Sequence, residues 1–145
     1  EKRKEITTEG GLNLKKNFKI LKKIISDLNK KNIRTSLFID PNLNDINLAS
    51  KLKSNCVELH TGKISNLIKK KKNYKKQLKV IKIASDYATK LGLEVHAGHG
   101  MDYKTTSVLS KIKNIKEFNI GHFIIGESIF FGLSKTIKKI KKNFS

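Results

Sequence analysis

Four short β-prone runs alternate with stretches of helical periodicity, and no tight hairpin turn joins one run to the next. The runs are Arg34–Asp40, Cys56–His60, Leu93–Ala97 and Glu117–His122. Leu14, Phe18, Leu21, Ile25 and Leu28, spaced by fours and threes, predict an amphipathic helix before the first run. Residues 45–53 predict a second helix, and Leu78, Ile81, Ala84, Tyr87 and Leu91 a third that Gly92 stops. A short helix capped by Asp102 or Thr105 is expected through Val108, Leu109 and Ile112, and a last one through Ile129, Leu133, Ile137 and Ile140. The segment from Thr61 to Tyr74, which carries four consecutive lysines, reads as a loop. Strands separated by helices imply a parallel sheet with right-handed crossovers. No linker divides the chain, so residues 1–145 read as one domain.

The formal charge of +20 raises nucleic-acid binding, since clustered cations release counterions from a phosphate backbone. Its distribution argues against that role. Only Arg3 and Arg34 are arginines, the lysines are spread over every predicted helix, and the run Lys69–Lys72 has Tyr74 as its one nearby aromatic. No stretch reaches the roughly 18 apolar residues of a membrane span, and residues 1–5 contain no apolar signal segment. The single cysteine, Cys56, leaves no internal disulfide and reads as a small buried hydrophobe. A cytoplasmic location with no membrane partner is expected.

Side chains alternate across a strand, which splits each run into two faces. Leu37, Ile39, Val57, Leu59, Val95, Ala97, Phe118 and Ile120 form an apolar set suited to covering helices. Ser36, Phe38, Asp40, Cys56, Glu58, His60, Glu94, His96, Asn119 and Gly121 form the other, which is markedly polar. Burying such groups without partners costs several kcal/mol each, so this face is expected to line a barrel interior or a crevice. His60, His96, His99 and His122 fall at or beyond the carboxyl ends of predicted strands, where barrels and open α/β sheets place their chemistry. A zinc site built from His96, His99, a third imidazole and a carboxylate is the rival use of these groups. The turns Gly98-His99-Gly100 and Gly121-His122 favour anion binding instead, by bare backbone N–H groups near helix N-termini.

Residues 1–11 (EKRKEITTEGG), 36–40 (SLFID), 57–62 (VELHTG), 97–100 (AGHG) and 119–122 (NIGH) closely resemble the pyridoxine 5′-phosphate synthase family. The likeness runs in order along essentially the whole chain. It implies a (β/α)8 TIM barrel of about 240 residues, of which this chain would supply about the last four to five β/α units as an incomplete barrel. It also implies condensation of 1-deoxy-D-xylulose 5-phosphate with 3-amino-2-oxopropyl phosphate, giving pyridoxine 5′-phosphate, phosphate and water without metal or organic cofactor. By the same resemblance His99 is the general acid, and Glu58 stabilises cationic, imine-like charge. Thr7 contacts the deoxyxylulose phosphate, while Gly100, Gly121 and His122 contact the aminoketone phosphate. The partners implied are phosphorylated small molecules and further copies of the chain in a homo-oligomer.

The likeness has two departures. His96 stands where the family usually has asparagine. The first strands of the family's barrel, with a further histidine and glutamate and its arginine phosphate ligands, have no counterpart here, so the piece alone is expected to be inactive. Two rivals stay open: another phosphate-binding TIM-barrel aldolase or isomerase, and a non-catalytic basic nucleic-acid-binding remnant. A Schiff-base aldolase would need a lysine on the inward face of a strand, and none of the four runs offers one.

Overall fold

The computed structural model describes residues 10–144. Helix α1 (Leu14–Lys30) forms where the apolar spacing places it, with Leu14 and Ile25 buried, and Asn13 Oδ1 accepts the Lys16 N–H at 2.9 Å to cap its start. Strand β1 (Ser36–Ile39) ends before Pro41, and α2 (Leu43–Lys51) opens on a cap from Asn42, whose Oδ1 accepts the Asp45 N–H at 2.9 Å. Strand β2 (Cys56–His60), α3 (Gly62–Lys69), α4 (Lys75–Lys90) and β3 (Glu94–Gly98) follow. Helix α5 (Tyr103–Leu109) is capped by Asp102 and leads to β4 (Ile115–Asn119). Helices α6 (His122–Phe131) and α7 (Leu133–Lys141) and a 3-10 turn, Lys142–Phe144, are the last elements among the described residues.

The four strands pair in parallel in the order β1-β2-β3-β4. Order along the sheet follows order along the chain without reversal, unlike a doubly wound sheet, whose order turns back at a switch point. This α/β fold is compatible with part of a TIM barrel. Leu37, Val57 and Val95 share one row of the sheet and Ile39, Leu59 and Ala97 another, and all six are buried. They pack beneath Ile25 of α1, Ile46 and Ala49 of α2, Ile64 of α3 and Ile81, Ala84 and Ala88 of α4. Among the described residues every lysine is exposed, in keeping with a charge spread over solvated helix faces. No helix among them is long and apolar enough to cross a membrane.

Three expectations are corrected. The fourth strand begins at Ile115 and stops at Asn119, two residues earlier at its start than expected, because the register shifts between Val95 and His96 and lets buried Ile115 pair with Val95. The segment after Thr61 is not a loop throughout: Ile64 packs into the core, Ser65 is buried, and the Thr61 carbonyl accepts the Ser65 N–H at 3.0 Å, starting α3. The last helix is two helices, divided by Gly132 at φ +80°, and Ile129 and Leu133 are exposed rather than on a packed face.

Candidate active site

The face of the sheet opposite the helices carries the polar set in two separate groups. The first spans the amino ends and middle of the strands. His96, whose side chain is 8% exposed, has Nε2 2.8 Å from Glu94 Oε1 and Nδ1 3.8 Å from Glu117 Oε1. The Arg34 guanidinium donates to Cys56 Sγ at 3.0 Å and lies 3.1 Å from Glu94 Oε1. The hydrogen bond from His96, and then that from Arg34, hold the Glu94 carboxyl below its ordinary range. Burial pushes the Cys56 thiol up, and the neighbouring guanidinium opposes it. Cys56 is therefore buried as expected, but as a hydrogen-bonded member of a polar cluster.

That arrangement corrects the grouping of the four histidines. His96 sits in the middle of β3, among Glu94 and Glu117, while the other three lie at the carboxyl rim. The rival zinc set of His96 with His99 is not assembled. Among the described residues the one compact group of ligand types is Cys56, Glu94 and His96, within 4.8 Å of one another. There the Arg34 guanidinium already answers both the sulfur and the carboxylate, and Glu94 answers the imidazole.

The second group lies at the carboxyl rim. His60 ends β2, with Nδ1 3.3 Å from Asp40 Oδ1 and its ring 4.8 Å from that of His99. Phe38 meets the His60 ring edge-on at 5.3 Å. His99 directly follows β3 with φ +79°, in the left-handed region that non-glycine residues rarely occupy. Glu58 projects from β2 on the same polar face, and its Oε2 accepts the Asn119 amide N–H at 2.7 Å. Gly98 makes this possible, since a Cβ there would collide with Glu58 Oε1.

A cleft of about 550 Å³ opens beside these residues, and Lys69, His99, Gly100, Asn119, Gly121 and His122 line it. Gly121 is the N-cap of α6, so the first-turn N–H groups of a ten-residue helix border the cleft, where the helix dipole favours an anion. Four residues singled out from the sequence, His99, Gly100, Gly121 and His122, thus border one cavity. Glu58 joins it through Asn119, and Thr7 lies outside the described residues. Sequence reasoning missed Lys69, which reads there only as one of four lysines in a loop, although its place at the end of α3 beside the rim makes it a cation for the cleft. It also missed Thr61, whose hydroxyl lies 2.7 Å from the Gly98 carbonyl and 2.8 Å from that of His99. The corrected β4 contains Lys116, but its amine turns to the Lys113 carbonyl at 3.2 Å, away from the cleft.

The chain is 69% identical over 142 residues to the pyridoxine 5′-phosphate synthase of Pelagibacter ubique (strain HTCC1062), covering 98% of the chain and 59% of that relative. Identity to the synthase of the same name from Sulfurihydrogenibium sp. (strain YO3AOP1) is 44%, over 98% of the chain and 58% of the relative. For that of Wolbachia sp. subsp. Drosophila simulans (strain wRi) it is 40%, over 100% and 60%. The chain therefore spans about three fifths of the length of these curated relatives. The family model described as pyridoxal phosphate biosynthesis protein PdxJ matches residues 1–145, and the chain belongs to that family.

Proposed function

We propose that this chain supplies the C-terminal portion, about three fifths, of a pyridoxine 5′-phosphate synthase. The complete protein, a closed (β/α)8 barrel, would condense 1-deoxy-D-xylulose 5-phosphate with 3-amino-2-oxopropyl phosphate. The observation that carries this reading is the cleft where His99, Gly100, Gly121 and His122 meet the N-terminus of α6. Backbone N–H groups and a helix dipole suit a phosphate monoester, and Lys69 adds a positive charge at the same wall.

His99 serves as the acid that delivers protons to departing oxygens, its imidazole half-buried at the cleft edge. Glu58, held by Asn119 with its carboxylate over Gly98, stabilises cationic charge as the amine of one substrate condenses with the carbonyl of the other. Gly100, Gly121 and His122 hold the aminoketone phosphate, and Thr7 the deoxyxylulose phosphate. The site needs no organic cofactor or metal for these steps. The protein works in the cytoplasm as a homo-oligomer.

The test is turnover of both phosphates by the complete synthase carrying this chain, followed as pyridoxine 5′-phosphate formed. His99→Ala is expected to lower turnover by roughly 10²- to 10⁴-fold. Near-parental turnover would remove His99 from the acid role. The 145-residue chain alone is expected to show none, since the relatives it matches are longer by about two fifths of their own length.

A further inference from the structure

We propose that Thr61 is the positioning residue that sets His99 for proton transfer, an inference that rests on the acid role assigned to His99 above. His99 stands at φ +79°, a conformation that an L side chain keeps only where its surroundings over-determine it. The surroundings that do so converge on one fully buried residue. The Thr61 N–H donates to the Gly98 carbonyl at 2.8 Å. Its Oγ1 lies 2.7 Å from that same oxygen and 2.8 Å from the His99 carbonyl, so the one hydroxyl proton is shared between the two. These are the carbonyls immediately before and after the His99 α-carbon. Tying both to a single side chain restrains the rotation that aims the imidazole.

Thr61 is itself anchored. Its carbonyl accepts the Ser65 N–H at 3.0 Å and the Ser65 hydroxyl at 2.9 Å, and Ser65 Oγ lies 3.5 Å from the His99 carbonyl. Thr61 is 0% exposed and Ser65 1%, so water does not compete for these groups. The first turn of α3 is thus a brace running from β2 to the loop after β3. Neither hydroxyl lines the cleft, and Thr61 acts through His99 alone.

The experiment is a mutant cycle in the complete synthase, with kcat and KM measured for both phosphates. Thr61→Val keeps the shape and the backbone N–H and removes the hydroxyl. It is expected to lower kcat by about 10- to 100-fold with KM within about threefold, the cost of a small misplacement of a reacting group. Thr61→Ser, which restores the hydroxyl, is expected within about threefold of the parent kcat. In a His99→Ala background, Thr61→Val is expected to cause no further loss, because the two act as one unit. A Thr61→Val enzyme with at least half the parental kcat, or a loss that persists undiminished in the His99→Ala background, would overturn the proposal. If Thr61→Val does not fold, Ser65→Ala takes its place in the same cycle, with a smaller loss expected and an additive result decisive against the brace. His99→Ala with parental kcat would instead sink the acid role itself, whatever Thr61 does.

Discussion

Asn119 reaches Glu58 across an intervening strand: its amide donates to the carboxylate at 2.7 Å although the residues sit on β4 and β2, with β3 between them. Two strands that are not neighbours bring side chains into hydrogen-bond contact only where the middle strand leaves room. Gly98 leaves it, because the space a Cβ would fill holds Glu58 Oε1. The carboxylate is therefore tilted from its own level, beside His96, up toward the rim where Asn119 borders the cleft.

Gly98→Ala tests that relationship directly. The new methyl must displace the carboxylate and strain the contact to Asn119, whose Cβ would lie 3.2 Å away. Turnover by the complete synthase is expected to fall by about 10²-fold or more, as when a group stabilising transition-state charge is removed. The thermal midpoint, followed by circular dichroism, shows whether the sheet survives. An alanine variant that folds and turns over normally would show that Glu58 does not need this position.

Most of the sheet was legible because its apolar face obeys a period of two: Leu37, Ile39, Val57, Leu59, Val95 and Ala97 are all buried. The polar residues of the opposite face were legible as a set but not as two groups. Which end of a strand a residue occupies depends on where pairing starts, and His96 fell inside β3 once Glu94 opened it. The start of β4 was hidden by a register shift, which no local pattern encodes. Gly132 was passed over because Ile129, Leu133, Ile137 and Ile140 keep helical spacing across it, whereas the chain turns there into the positive-φ region. Thr61 gave no signal, since the carbonyls it binds lie 37 and 38 residues away.

Acid should weaken the cluster around Glu94. Its carboxyl is held below the ordinary value of 4.5 in the folded protein, first by the hydrogen bond from His96 and then by that from Arg34. A carboxyl with a depressed folded pKa adds stability that is full above its unfolded pKa and is lost as pH falls through the folded one. Glu94→Gln is therefore expected to lower the thermal midpoint at about pH 6, with the gap to the parent narrowing below about pH 4.5. A gap of constant size from about pH 6 to about pH 3 would assign the effect to packing instead.

Cys56 should resist alkylation while the protein is folded. Its side chain is buried, and burial raises the thiol pKa more than the Arg34 guanidinium lowers it, so little thiolate forms near neutrality. Iodoacetamide at neutral pH is expected to leave the native protein unmodified by mass and to label one site after denaturation. Fast labelling of the native protein would mean that the sheet opens at β2 or that the guanidinium dominates.

Asp102 links the stability of α5 to the rim loop. Its Oδ1 accepts the Thr105 N–H at 2.8 Å, and its carbonyl accepts the Thr106 N–H at 2.9 Å and the Thr106 hydroxyl at 2.7 Å. A seven-residue helix has few internal bonds, so the loss of one cap removes a sizeable part of what orders it. Asp102→Ala keeps the carbonyl contacts but removes the side-chain acceptor, at a cost of about 1 kcal/mol. For a domain of this size that corresponds to a fall of about 3 to 6 °C in the thermal midpoint. Asp102→Asn retains an oxygen acceptor and is expected to recover most of the difference. Equal destabilisation by both variants would trace the effect to the negative charge beside the α5 N-terminus rather than to the hydrogen bond.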